Sequence, residues 1–155
     1  MPFHYRLQKI LQIRIRKKEE QLQKVLKAKS EVDRIELLIL KNREEIKTLT
    51  KEMRQADPMM YNQYDKFIKH LWLNDEKLQQ QKLEAIDELE KEKKILIQRE
   101  QEVNVLEKDK ENKKEYYIQE EKKKELKELN EIGSQRAFIN KRNKAQEQEE
   151  NDIRD

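Results

Sequence analysis

Few side chains in this sequence could do covalent or acid–base chemistry. Histidine occurs only as His4 and His70, cysteine is absent, and Gly133 is the single glycine. A nucleophile–base pair, a thiolate metal site and a glycine-rich phosphate cradle all need residue types that are missing or isolated here. The 33 acidic residues are poor candidates for paired catalytic carboxylates. Such pairs need a desolvating pocket to drive their pKa values apart, and no segment is apolar enough to build one. His4 and His70 stand far apart in the chain, which argues against a metal site. The expectation is therefore no enzyme activity, no cofactor, no metal and no small-molecule substrate. Nucleic-acid binding is not expected either, because acids interleave with the bases along most of the chain and no recognition motif is present.

What remains is chemistry of recognition, in two places. Met59, Met60, Tyr61, Tyr64, Phe67, Ile68, Leu71, Trp72 and Leu73 form a dense aromatic and aliphatic cluster. Half-exposed clusters of this kind suit protein interfaces, so Tyr64, Phe67, Ile68, Leu71 and Trp72 are a candidate docking patch. The same residues could instead seal one end of a helical pair. The second place is basic. Residues 1–18 carry Arg6, Lys9, Arg14, Arg16, Lys17 and Lys18 with no acid, and residues 136–144 carry Arg136, Lys141, Arg142 and Lys144 with no acid. The net charge is only +3, so this is local asymmetry on an otherwise neutral chain.

The elements that carry these groups follow from composition and period. With 45% charged and 34% hydrophobic residues, the chain can line a narrow apolar stripe but not an ordinary globular core. Low hydropathy alone would also fit disorder, but the apolar residues are periodic. One stripe reads Leu7, Leu11, Val25, Ala28, Val32, Ile35, Ile39, Ile46, Leu49, Met53. The other reads Tyr61, Tyr64, Ile68, Leu71, Leu78, Ala85, Leu89, Leu96, Val103, Leu106, Tyr117. Folded near Asp57-Pro58, the stripes pair at position numbers adding to 113 or 114: Met53 with Tyr61, Leu49 with Tyr64, Ile46 with Ile68, Ile35 with Leu78, Val25 with Leu89, Leu7 with Leu106. The fold class expected is all-α, two long helices in an antiparallel coiled-coil hairpin with the C-terminal helix overhanging.

The boundaries follow from the breakers. Helix one is expected over about 4–55, a turn over 56–58 with Asp57 as N-cap and Pro58 in the first helical position, and helix two over about 58–132. Gly133 is placed to end helix two in a left-handed cap, leaving a frayed tail over 133–155. The whole of 1–155 reads as one hairpin. The seam looks weakest at Arg14, Lys18 and Gln21, where Ile15 and Leu22 sit one position out of phase. In the second stripe Asp75, Lys82, Glu92, Arg99, Lys110 and Lys113 are polar, so modest stability is expected at those layers. Beyond the seam, Tyr116, Tyr117, Ile118, Leu126, Leu129, Ile132, Phe138 and Ile139 have no partner stripe in the chain. No stretch approaches the roughly 20 apolar residues of a membrane span. The basic opening reads as a helix start rather than a transit peptide, because it lacks serine and alanine enrichment.

Three segments resemble flagellar export proteins of the FliJ family, small coiled-coil components of the type III export apparatus. Phe3-His4-Tyr5-Arg6-Leu7-Gln8-Lys9-Ile10-Leu11 followed by Ile13-Arg14 is similar to the family's F-x-Y-R-L-x-K-I/V-L start. Tyr64-x-x-Phe67-Ile68-x-x-Leu71 is similar to the segment after the family's inter-helix turn. Leu129-Asn130-Glu131-Ile132 before Arg136 resembles the L-D-E-I ending, with Asn130 in place of aspartate.

The resemblance implies a hairpin like the rotary ATPase γ-subunit coiled coil, entering the pore of the hexameric export ATPase as a stalk. It also implies a contact with the cytoplasmic region of the export gate, a contact with empty export chaperones, and a cytoplasmic protein held at the inner membrane through that apparatus. By analogy the gate contact falls on Phe67 and Leu71. The charge asymmetry places Arg6, Lys9, Tyr117, Arg136, Lys141 and Arg142 on the side toward the ATPase. Three alternatives stand beside it: a stalk homologue of an injectisome, a purely structural self-associating coiled coil, and a basic amphipathic membrane-surface helix at the N-terminus.

Overall fold

The structure is a computed structural model that describes residues 2–154; the outermost positions of the expected hairpin, Met1 and Asp155, lie outside the described residues. It is all-helical, with no strand among the described residues. Helix α1 spans Gln8–Gln55, a short 3-10 turn spans Pro58–Met60, and helix α2 spans Tyr61–Arg154. The chain divides into two compact units, one of Gln8–Leu106 and one that joins Met1–Leu7 to Glu107–Asp155.

In the first unit two helices pack against each other. Leu11, Val25, Val32, Ile35, Ile39 and Ile46 of α1 are buried, as are Leu71, Leu78, Leu89, Val103 and Leu106 of α2. Their spacing of three and four keeps them on one face of each helix. Val25, Val32 and Leu89 form one cluster, flanked by Ala28, Ala85 and Leu96. Ile35, Ile39 and Leu78 form a second, also touching Ala85. Alanines let the helices approach closely between these bulkier layers.

The seam holds its phase where the sequence suggested a slip. Gln21 is buried while Leu22 is exposed. The Gln21 amide donates to the Glu92 backbone carbonyl at 3.0 Å and also reaches the Glu92 carboxylate. A hydrogen-bonded glutamine thus holds the phase that an apolar residue one position away would have broken. The junction follows its capping chemistry: Asp57 Oδ1 accepts from the Met59 amide at 3.3 Å, and Pro58 begins the turn. Ala56 and Met60 add backbone bonds to Met53 and Asp57.

Two expectations about helix ends are corrected. Residues 2–5 are not helical, and α1 begins at Gln8 rather than near His4. Helix α2 runs through Gly133 to Arg154, and no glycine has a positive φ, so Gly133 caps nothing. One glycine costs a helix about 1 kcal/mol, too little to stop one flanked on both sides by good helix formers. Glu90 pairs with Lys93 and Glu120 with Lys123, each three residues on. That spacing brings side chains together on a helix, and each exposed pair contributes only a few tenths of a kcal/mol.

Candidate partner-binding surfaces

The aromatic cluster after the turn divides by exposure. Phe67 and Trp72 are each 50% exposed, and Tyr64 and Ile68 are half-buried. Leu71, expected to be available for docking, is only 7% exposed. The reason is local. Asn42 is itself buried and donates from Nδ2 to the Leu71 carbonyl at 2.8 Å, drawing that turn of α2 against α1. Asn74 donates to Asn42 Oδ1 at 3.3 Å and completes the layer. One turn away Arg43 Nε meets Asp75 Oδ1 at 3.2 Å, with the Asp75 side chain only 9% accessible. Leu71 is therefore a packing residue.

Phe67 belongs to a shallow concavity of about 240 Å³ that it lines with Leu49, Met60, Gln63 and Tyr64. Trp72 is not among its walls. The exposed apolar surface after the turn is thus built from Phe67, Tyr64 and Met60 around that concavity, with Trp72 as a separate exposed ring. Leu49, Met60 and Phe67 make the concavity's walls largely apolar, with Gln63 and the Tyr64 hydroxyl as the polar groups.

The second unit is organised by residues that the seam argument passed over. Tyr5 is buried, and its hydroxyl donates to Asp109 Oδ2 at 2.6 Å. Lys113 Nζ sits 3.3 Å from the same oxygen and 5.7 Å from the Tyr5 ring centroid. Two residues earlier, Phe3 packs on Tyr117 with ring centroids 5.6 Å apart and planes tilted by 46°. The alternation Phe3, Tyr5 is the period of an extended segment, which puts both rings on one side. That spacing was the signal available in the sequence. The Tyr5 hydroxyl holds the Asp109 carboxyl below its ordinary range; partial desolvation opposes this, and Lys113 reinforces it.

Past Tyr117 the helix carries Ile118, Leu126, Leu129, Ile132, Phe138 and Ile139, all exposed. A broad concavity of about 730 Å³ borders Lys122, Leu126, Lys127 and Glu131, but all its walls come from one helical stretch, so it encloses nothing. Arg136, Lys141 and Arg142 are exposed here, as is Arg6. Arg6 and Arg136, both expected on the side toward the ATPase, do not meet within this unit: Tyr5 is fixed at Asp109 and Phe3 at Tyr117, and Arg136 stands 19 residues further, about 28 Å along a helix. The extension of α2 through Gly133 is what separates them. Lys9 is exposed on α1, and Tyr117 is half-buried against Phe3 rather than open.

Comparison with protein-family models, with curated proteins and with solved structures returns no match to the chain. Among the described residues no three metal-ligating side chains gather, and no helix is long and apolar enough to cross a membrane.

Proposed function

We propose that this chain is a non-enzymatic stalk of a type III protein export apparatus of the flagellar kind. In this reading residues 8–106 form an antiparallel coiled-coil hairpin. Contacts of Gln21 with Glu92 and Asn42 with Leu71, both at position numbers adding to 113, support that register. The concavity around Phe67, with Trp72, receives the cytoplasmic region of the export gate. The helix carrying Arg136, Phe138, Ile139, Lys141 and Arg142 enters the hexameric export ATPase. Empty export chaperones are further partners, and the protein sits in the cytoplasm, held at the inner membrane through the apparatus.

The observation that carries the proposal is the long helix past Tyr117. It exposes Leu126, Leu129, Ile132, Phe138 and Ile139 with nothing in its own chain over them among the described residues. A helix bearing such residues is built to be covered by another molecule. The family reading itself rests on the sequence resemblance; in the structure Phe3 and Tyr5, which carry part of it, dock on Tyr117 and Asp109.

Purified export ATPase should hydrolyse ATP faster when this chain is added. Arg136→Glu with Lys141→Glu and Arg142→Glu should abolish that gain and leave gate binding intact; unchanged stimulation discards the assignment. Phe67→Ala with Trp72→Ala should stay helical and lose gate binding. A second reading, a self-associating structural coiled coil, is favoured by the same exposed residues. An elongated monomer in sedimentation velocity would count against it.

A further inference from the structure

The first turns of α1 present two chemically different faces. Leu11 is 3% exposed, and Arg14 turns toward α2, donating to the Glu102 carbonyl at 3.3 Å. Away from that contact, Ile10 and Ile13 are 45% and 53% exposed, and Lys9, Arg16 and Lys17 are exposed beside them. Positions 9, 10, 13, 16 and 17 fall on one continuous arc of a helix. No acid occurs before Glu19. Among the described residues no ion pair within the chain neutralises Lys9, Arg16 or Lys17.

We propose that this outer arc of α1, with Ile10 and Ile13 set among Lys9, Arg16 and Lys17, docks on an anionic lipid surface. Three free cations complement acidic headgroups, and the two isoleucines can enter the boundary between headgroups and acyl chains. Nucleic acid offers the same negative charge but gains nothing from isoleucine. It rewards stacking aromatics, and this arc has none. A lipid surface uses both components at once. The contact lies outside the residues given to the gate and the ATPase under the proposed function, takes Lys9 from the set first expected on the ATPase side, and would orient the protein at a membrane directly.

The full chain should float with vesicles of phosphatidylcholine and phosphatidylglycerol and stay behind with phosphatidylcholine alone. Added salt should weaken that binding. Ile10→Ala with Ile13→Ala keeps good helix formers at exposed positions, so helicity should persist while vesicle affinity falls about tenfold or more. Arg16→Glu with Lys17→Glu should abolish binding. The proposal is overturned if the chain ignores acidic vesicles, binds neutral ones equally, or keeps its affinity in both variants. It is also overturned if the chain retains single-stranded RNA in place of vesicles. ATPase stimulation is measured without membranes, so either proposal can fail alone.

Discussion

The Tyr5 hydroxyl donates a 2.6 Å hydrogen bond to Asp109 Oδ2 across 104 positions of sequence. With Phe3 on Tyr117, this bond ties a non-helical segment to one side of α2. Because the bond favours the charged carboxylate, the Asp109 pKa lies lower with the segment docked than with it free. A lowered folded-state pKa contributes stability that is complete above the free value and is lost as pH falls through the folded one. The window therefore opens below the ordinary aspartate value of 3.8. The Phe3 and Tyr5 ring resonances should keep their docked shifts above that pH and move toward free values below it. Tyr5→Phe should remove this dependence, since no hydroxyl remains to favour the charged form. An unchanged titration in Tyr5→Phe would break the link to Asp109.

The Arg43–Asp75 pair sits at the edge of the helical seam, and its two members differ in exposure. Arg43 is about half exposed, but the Asp75 carboxylate is nearly covered and has the guanidinium as its charged partner. Arg43→Ala should cost about 1–3 kcal/mol, because a shielded carboxylate loses its partner. Asp75→Leu in the same background should recover most of that loss by putting an apolar side chain on the seam near Leu71 and Leu78. Urea unfolding of both variants checks the pair; an Arg43→Ala chain as stable as the parent would show the contact to be ornamental.

Asn42 tests a different property. Its Nδ2 bonds the Leu71 carbonyl, which as an interior helix carbonyl also has its own backbone donor, and Asn74, which loses its acceptor on Asn42, is exposed and can donate to water, so replacing the asparagine leaves no buried group of α2 unpaired. Asn42→Leu should therefore raise stability by about 1–2 kcal/mol through apolar burial. It should also loosen specificity, because a polar layer at one height admits one register and an apolar layer admits several. Cysteine pairs introduced at Ile35 with Leu78, and at neighbouring offsets, report the register. Cross-linking confined to the native pair in both backgrounds would assign Asn42 no role in specificity.

Most of the buried stripe was legible in the sequence, since Leu11, Val25, Ile35, Leu78, Leu89 and Val103 recur at spacings that only a helix places together. The polar layers were visible as interruptions, but their consequence was not. Gln21 and Asn42 bond backbone carbonyls of α2, and a carbonyl leaves no trace in side-chain patterning. That is why Leu71 read as available and is packed instead. The docking of Phe3 and Tyr5 was hidden for another reason: its partners lie over a hundred positions away, and Phe3 and Tyr5 themselves follow an extended rather than a helical spacing. The end of α2 was misjudged because a lone glycine was weighed as a cap when Glu131, Gln135, Arg136 and Ala137 around it favour continuing.

Gly133 makes that last point testable. It lies in a continuous helix, and a Cβ added there would meet nothing within 4 Å. With no steric cost in the free chain, Gly133→Ala should stabilise the helix by about 0.5–1 kcal/mol, because alanine has less backbone freedom to lose. Circular dichroism of the full chain should show α2 melting later. If Gly133 terminated the helix in a left-handed cap, the same substitution would be strained and helicity would fall, so the sign alone decides. The substitution also probes the proposed ATPase contact. Alanine leaves the charges of Arg136, Lys141 and Arg142 untouched, so stimulation lost despite a more stable helix would place a closely approaching partner surface at Gly133. Stimulation retained would leave that contact to the basic and apolar side chains beyond it.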